Sequence, residues 1–192
     1  MPLKISHTVQ RGNTVPYPPL FNEINRNHGF VDLRGRPDLI EDIPELAESA
    51  ALKALVLDLA QPASRLMTMG CDLGQHLFKR RKPDRRWTAG GYVQVARLPL
   101  GLVGQDALFE ITKGFERHLA AAARAERWEA DFGLCQTHLA FQPGATVEIQ
   151  TLWIWLHAFS ATPEAAQASR EGAFAALHQG LREIAGLTPT GR

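Results

Sequence analysis

The side chains best suited to proton transfer, nucleophilic attack or metal binding in this chain are seven histidines (His7, His28, His76, His118, His138, His157 and His178) and two cysteines (Cys71 and Cys135). Metal sites are often built from H-x-H on a strand or H-x-x-x-H on a helix, because those spacings put both rings on one side. Neither spacing occurs, and no Walker loop, G-x-G-x-x-G, G-x-S-x-G or H-E-x-x-H signature is present. No metal and no cofactor are expected. Asp72 and His76 share a parity in one apolar run, but four strand residues span roughly 13 Å, so the pair acts only through a ligand or a cross-strand neighbour. A nucleophilic thiolate needs an adjacent base or positive charge. For Cys135 that base would be His76 or His157, if the strand order brings either across. Cys71 falls on an aliphatic parity, where a thiol behaves as a small hydrophobe.

The elements that must position these groups are read from periodicity. Ser64–Phe78 ("SRLMTMGCDLGQHLF") and Trp87–Pro99 ("WTAGGYVQVARLP") read as two strands joined by a basic turn. Residues 104–126 read as an amphipathic helix with Leu108, Ile111, Phe115 and Leu119 on one side. A second strand pair follows, Ala130–Phe141 and Ala145–Phe159, joined by a Pro143-Gly144 turn. A second helix spans 161–187, with Thr162 as N-cap, Pro163 at the first helical position and Gly186 as its stop. The predicted fold class is therefore α+β. It is a mostly antiparallel sheet made from two tandem strand-strand-helix units, at about 65–125 and 129–187, with the helices packed on one face.

Residues 1–42 differ from the rest. Half of the twelve prolines fall at or before Pro44, and "VPYPPLF" is held extended by proline sterics. Tyr17, Leu20, Phe21 and Phe30 give this arm apolar anchors, so it is expected to dock on a body formed by residues 43–192, a single α+β domain. Residues 42–60 read as helix at least in their first half, while "ALVLDLA" (54–60) fits a short strand as well.

Alternation sorts the strand residues into two faces, provided no bulge intervenes. Met67, Met69, Cys71, Val93, Val95, Phe132, Leu134, Leu152, Ile154 and Leu156 form an aliphatic face that should meet the helices. The other face combines small, polar and aromatic residues: Gly70, Asp72, His76, Tyr92, Gln94, Cys135, Trp153, Trp155 and His157. Glycine inside a strand often marks the close approach of a ligand or another backbone, and tryptophans beside small polar groups suit a pocket or an interface. Asp72, His76, Tyr92, Gln94, Cys135, Trp153, Trp155 and His157 are thus the candidate ligand or partner face. Its cover would be the arm, a second subunit or protein partner, or a small molecule.

The turn "KRRKPDRR" carries Lys79, Arg80, Arg81, Lys82, Arg85 and Arg86 against one acid, +5 in a chain whose net charge is +1, so the remaining residues sum to −4. Such a tip could grip phosphate, with Trp87 stacking on a base. Nucleic-acid domains usually spread basic residues along a face instead, so nucleic acid ranks behind other partners. Hydrophobic content of 45% with 21% charged residues is ordinary for a globular domain. No run approaches the roughly 18 apolar residues of a membrane span, and two cysteines far apart in sequence fit reduced thiols in the cytoplasm. The leading expectation is a non-enzymatic binding or adaptor protein, a homodimer, using the aromatic and polar sheet face or the basic tip. The alternative is a small enzyme with a pocket on the Trp153/Trp155 face. A weak nucleic-acid binder working through Lys79 to Arg86 is third.

Overall fold

The structure is a computed structural model. It describes residues 4–21, 26–73, 78–79, 87–100, 112–113, 118, 128–142 and 145–187. The helix expected at 104–126 is described only at Thr112, Lys113 and His118, all helical. The Pro143-Gly144 turn, His76 and Arg80 to Arg86 lie outside the described residues.

The strands are β1 (Lys4–Val15), β2 (Leu20–Phe21), β3 (Arg26–Asn27), β4 (Leu66–Asp72), β5 (Phe78–Lys79), β6 (Trp87–Arg97), β7 (Trp128–Gln142) and β8 (Ala145–Ser160). The helices are α1 (Ala50–Leu59) and α2 (Pro163–Ala185), with 3-10 turns at Pro37–Asp42 and Pro44–Glu48. The main sheet runs in the order β1-β7-β8-β6-β4, and β5 also pairs with β6. The fold is α+β, and its sheet is mixed. β1 runs parallel to β7, while β7–β8, β8–β6 and β6–β4 are antiparallel. Residues 4–15 of the expected arm are therefore a strand of the sheet. Among the described residues no helix is long and apolar enough to cross a membrane.

Local chemistry explains the helix boundaries. Ser49 accepts a hydrogen bond from the Leu52 N–H at 3.1 Å and so caps α1. Once capped, "ALVLDL" continues as helix and buries Leu52, Leu55, Val56 and Leu59 on one stripe, which settles the helix-or-strand alternative. Thr162 accepts from the Ala165 N–H at 3.2 Å, Pro163 opens α2, and Gly186 closes it at φ 75. There the Leu187 and Gly186 amides donate to the Arg182 and Glu183 carbonyls at 3.0 and 3.2 Å, the Schellman pattern that a left-handed glycine permits.

α2 packs on β8 and β6, and α1 packs on α2. The main core joins Leu52, Leu55 and Leu59 of α1, Phe174, Leu177 and Leu181 of α2, and the inner faces of the strands: Val93, Val95, Phe132, Leu134, Leu152, Ile154 and Leu156. Burying each such side chain is worth about 1.5–3 kcal/mol. Asp58 ties the two helices together, receiving His178 at 2.8 Å and Arg182 at 3.1 Å.

β4 departs from strict alternation. Its register against β6 shifts between Thr68 and Gly70. Met67 pairs with Ala96, and both join Met69, Val15, Leu139 and Ile149 in a second, smaller core. Past the irregularity Cys71 pairs with Val93 and packs on the main core. One extra residue thus sends Met67 and Cys71 to opposite faces, whereas simple alternation had put them together.

Candidate functional site

The second face of the sheet is laid out in rows by the register. Asp72, Tyr92, Trp155 and Asp131 are successive cross-strand neighbours over β4, β6, β8 and β7. The next row is Gly70, Gln94, Trp153 and Gly133. A third holds Met67, Ala96, Thr151 and Cys135, and beyond the aromatic row His157 stands between Gly90 and Glu129. Asp72, Tyr92, Gln94, Cys135, Trp153, Trp155 and His157 therefore occupy neighbouring positions, while His76 lies outside the described residues. Of the basic tip only the backbone of Lys79 is described, paired with Trp87.

The aromatic rings pack on one another. Tyr92 lies 4.8 Å from Trp153 and 4.6 Å from Trp155 between centroids, and the two indoles are 5.9 Å apart. The indole N–H of Trp153 is buried without a hydrogen-bond partner among the described residues. Beneath them Gln94 is buried and its amide donates to Thr137 at 3.1 Å and Thr151 at 2.8 Å. The two threonine hydroxyls are 2.9 Å apart, and Thr151 also donates to the Cys135 carbonyl at 3.2 Å. A buried hydrogen-bonded network of this kind rigidifies the sheet. The nearest approach of His157 to Asp131 is 3.9 Å, within reach of charge but too long for a hydrogen bond.

The glycines make room for these side chains. A Cβ on Gly90 would stand 3.0 Å from the His157 ring, and one on Gly91 would stand 2.6 Å from the Asp72 carbonyl oxygen and 3.0 Å from the Phe174 ring. A Cβ on Gly70 would meet the Tyr17 hydroxyl at 3.1 Å, with the Gln94 side-chain oxygen at 3.7 Å and the Tyr92 hydroxyl at 3.8 Å. Two phenols from distant parts of the chain thus converge over one glycine.

That convergence opens onto a cavity of about 690 Å³. Its walls come from residues 27–34 of the arm, the 3-10 turn with Glu45 and Glu48, the end of α1, and the run Met67 to Leu73. Six of these, Met67 to Asp72, are consecutive residues of β4, and such a run can line one cavity only along the strand's edge; β4 stands at one edge of the main sheet's strand order. Over the second face the arm also contributes Tyr17 and Phe30, in edge-to-face contact at 6.2 Å and packed on the smaller core. Leu20 and Phe21 are exposed. Of the residues singled out from sequence, Asp72 and Tyr92 line the cavity together with Cys71; Gln94, Cys135, Trp153, Trp155 and His157 do not.

The electrostatics follow from burial beside carboxylates. Burial, then Cys71, Glu45 and Asp72, pushes the Tyr17 phenol up to about 12. Burial, then Tyr17 and Asp72, raises Tyr92 further. Burial, then Glu45 and Asp72, pushes the Cys71 thiol up to about 12, so it stays protonated at neutral pH and is a poor nucleophile. Burial also holds the Glu45 carboxyl above its usual range, against a backbone hydrogen bond and the weaker pull of His28. Two phenolic donors, a thiol and carboxylates thus surround the space, and they can hydrogen-bond and attract charge.

Sequence reading passed over Glu45 and His28, which carry no spacing signal, and took Tyr17 only as an apolar anchor. Gly70 was the available signal, since a glycine inside a strand marks a close approach. The chain matches no protein-family model, no curated protein and no solved structure in the comparisons made with each.

Proposed function

We propose that this protein binds a small molecule in the cavity beside β4, without transforming it. The observation that carries the reading is the cavity itself. Its volume lies within the range of ligand sites, and it combines apolar walls with a few convergent polar groups. The Tyr17 and Tyr92 hydroxyls over Gly70 supply the donors that fix orientation, and Phe30, Val31 and Leu59 supply apolar contact. The half-buried Tyr92/Trp153/Trp155 surface suits a protein partner or a second copy of the chain, and a homodimer extends the proposal. The basic tip Lys79 to Arg86 ranks behind both.

The test is a melting-temperature screen against a library of small metabolites, run on the native chain and on Val31→Trp, which fills the cavity. Stabilisation by one or more compounds, lost in the filled variant, is the expected result. Hits that survive the filling, or no hit at all, would count against the site.

A second reading is favoured by one observation: the Glu45 carboxyl, raised by burial, stands among the cavity's hydroxyl donors. Such a group can act as general acid or base in a small enzyme. Turnover of a bound compound, abolished in Glu45→Gln while binding persists, would select this reading.

A further inference from the structure

We propose that the ligand of this cavity is a short peptide that lies beside β4 as an added strand; the inference rests on the reading of the cavity as the binding site. Residues 67–72 of β4 line it in an unbroken run along the strand's edge. Among the described residues β4 pairs with β6 alone, and no backbone hydrogen bond of residues 67–71 runs to any other element. In an antiparallel pair every second residue turns its N–H and C=O away from its partner. The cavity wall along β4 is therefore a row of backbone donors and acceptors, the template on which a further strand forms.

The apolar walls suit the side chains of such a strand. Val56 and Leu59 belong to the main core, on the helix side of the sheet, and Met69 and Phe30 pack in the smaller core on the other side. All four line the cavity, so apolar surface stands on both sides of the sheet plane where the next strand would run. Side chains of an extended peptide alternate between those two sides, whereas a compact molecule has no need of both. A strand rises about 3.3 Å per residue, stands about 4.8 Å from its neighbour and keeps about 10 Å between packed layers, roughly 160 Å³ per residue. The cavity, of about 690 Å³, therefore takes about four residues. Peptide amides are neutral, so this recognition draws on no net charge in the walls, where Asp32, Glu45, Glu48 and Asp72 stand with Arg34 and His28.

The experiment uses tetrapeptides acetylated at one end and amidated at the other, with Val, Leu, Phe or Thr at each position, screened against the full chain by melting-temperature shift. The best binder is then remade four times, with one N-methyl group on each residue's amide in turn, and titrated by calorimetry. The methyl removes a donor and stands where the backbone of β4 would have to approach. Two alternate positions should each lose at least about tenfold in affinity, and the two others should stay within about threefold, because every second amide faces β4. Binding of the parent peptide should be lost in Val31→Trp and in Ala60→Phe, which fill the cavity from different walls and are checked for a native-like melting profile.

An equal loss at all four positions, or at none, would overturn the inference; if that binding still disappears in the filled variants, the cavity remains the site. Binding that survives both fillings would overturn it too, because the peptide would then sit elsewhere. The best sequence, set in the middle of a capped ten-residue peptide, should bind at least about tenfold more weakly than alone, since about four residues fit. Equal affinity would overturn a free short peptide in favour of a segment of a partner protein. No saturable binding of any tetrapeptide, beside stabilisation by non-peptide compounds that is lost in Val31→Trp, would overturn the inference and leave the reading of the cavity standing. No binder of either kind would overturn both.

Discussion

Tyr92 and Trp153 stack with their planes within 1° of parallel and their centroids 4.8 Å apart, although neither is the other's direct cross-strand partner. Tyr92 pairs with Trp155 and Trp153 pairs with Gln94, so the stack is diagonal across β6 and β8. It joins the two halves of the second face, because the Tyr92 ring belongs to the aromatic cluster while its hydroxyl stands beside Gly70 at the cavity.

A double-mutant cycle measures that link. Tyr92→Leu, Trp153→Leu and the double variant, unfolded in urea, should give a coupling energy of about 0.5–1.5 kcal/mol, the range of stacked aromatic pairs. A coupling indistinguishable from zero would show that the rings only fill space.

The chain has two tyrosines, Tyr17 and Tyr92, and both line the cavity. Both phenols are raised, Tyr17 from 10.0 to about 12. The folded state therefore favours the neutral phenol. The stabilisation is complete below pH 10 and is lost as pH rises from 10 through about 12. A spectrophotometric titration of the native protein should show no tyrosinate absorbance around pH 10, with the signal rising near pH 12 or on alkaline unfolding. An ordinary transition centred near 10 for either phenol would mean that the arm does not enclose it.

Gly91 and Gly70 make opposite demands on their neighbours. An alanine at 91 meets backbone, the Asp72 carbonyl at 2.6 Å, which cannot rotate away. Gly91→Ala should cost about 1–3 kcal/mol in urea unfolding, as overpacking does. An alanine at 70 is crowded by the tip of Tyr17, at 3.1 Å, which can give way, while the Gln94 oxygen and the Tyr92 hydroxyl at 3.7 and 3.8 Å are in ordinary contact. Gly70→Ala should cost less stability than Gly91→Ala yet weaken ligand binding by displacing the phenol. A reversed order of the two stability losses would contradict the packing described here.

Glu45 carries a folded-state carboxyl raised above its ordinary 4.5, chiefly by burial. The protonated form is favoured on folding, so this group's contribution is present below pH 4.5 and is lost as pH rises through the raised value. Above the raised value the charged side chain weighs against the fold. Glu45→Gln should raise the melting temperature at pH above the raised value, and the gain should shrink as pH falls through that value toward 4.5 and be absent below it. A variant less stable than the native chain above that value would show that Glu45 has a stabilising partner there.

How far the sequence reveals this fold depends on how local each signal is. α2 was legible to the residue, because Thr162, Pro163 and Gly186 act within one turn of the helix ends. The second face was legible as far as alternation holds, and it placed Asp72, Tyr92, Gln94 and Trp153 together. It failed at Met67, because the irregularity between Thr68 and Gly70 leaves no mark on composition. The strand character of residues 4–15 was missed although Ile5 and Val9 alternate with polar residues there. Its pairing with β7 is parallel and bridges more than a hundred residues, and the prolines that follow dominate the local reading. The cavity was not legible at all. It needs Tyr17, Glu45, Asp72 and Tyr92 in one place, and these come from four separate segments of the chain with no local signal linking them.

The central claim is that this cavity is where the protein meets its ligand, and mapping the amide shifts tests it most directly. In a ¹⁵N-labelled sample of the full chain titrated with a compound that stabilises it in the melting-temperature screen, the largest chemical-shift changes should fall in residues 27–34, 43–48 and 67–73 and at Tyr92, and saturate together. Shifts concentrated instead at Lys79–Arg86 or over Trp153 and Trp155, with the cavity residues unmoved, would contradict the account.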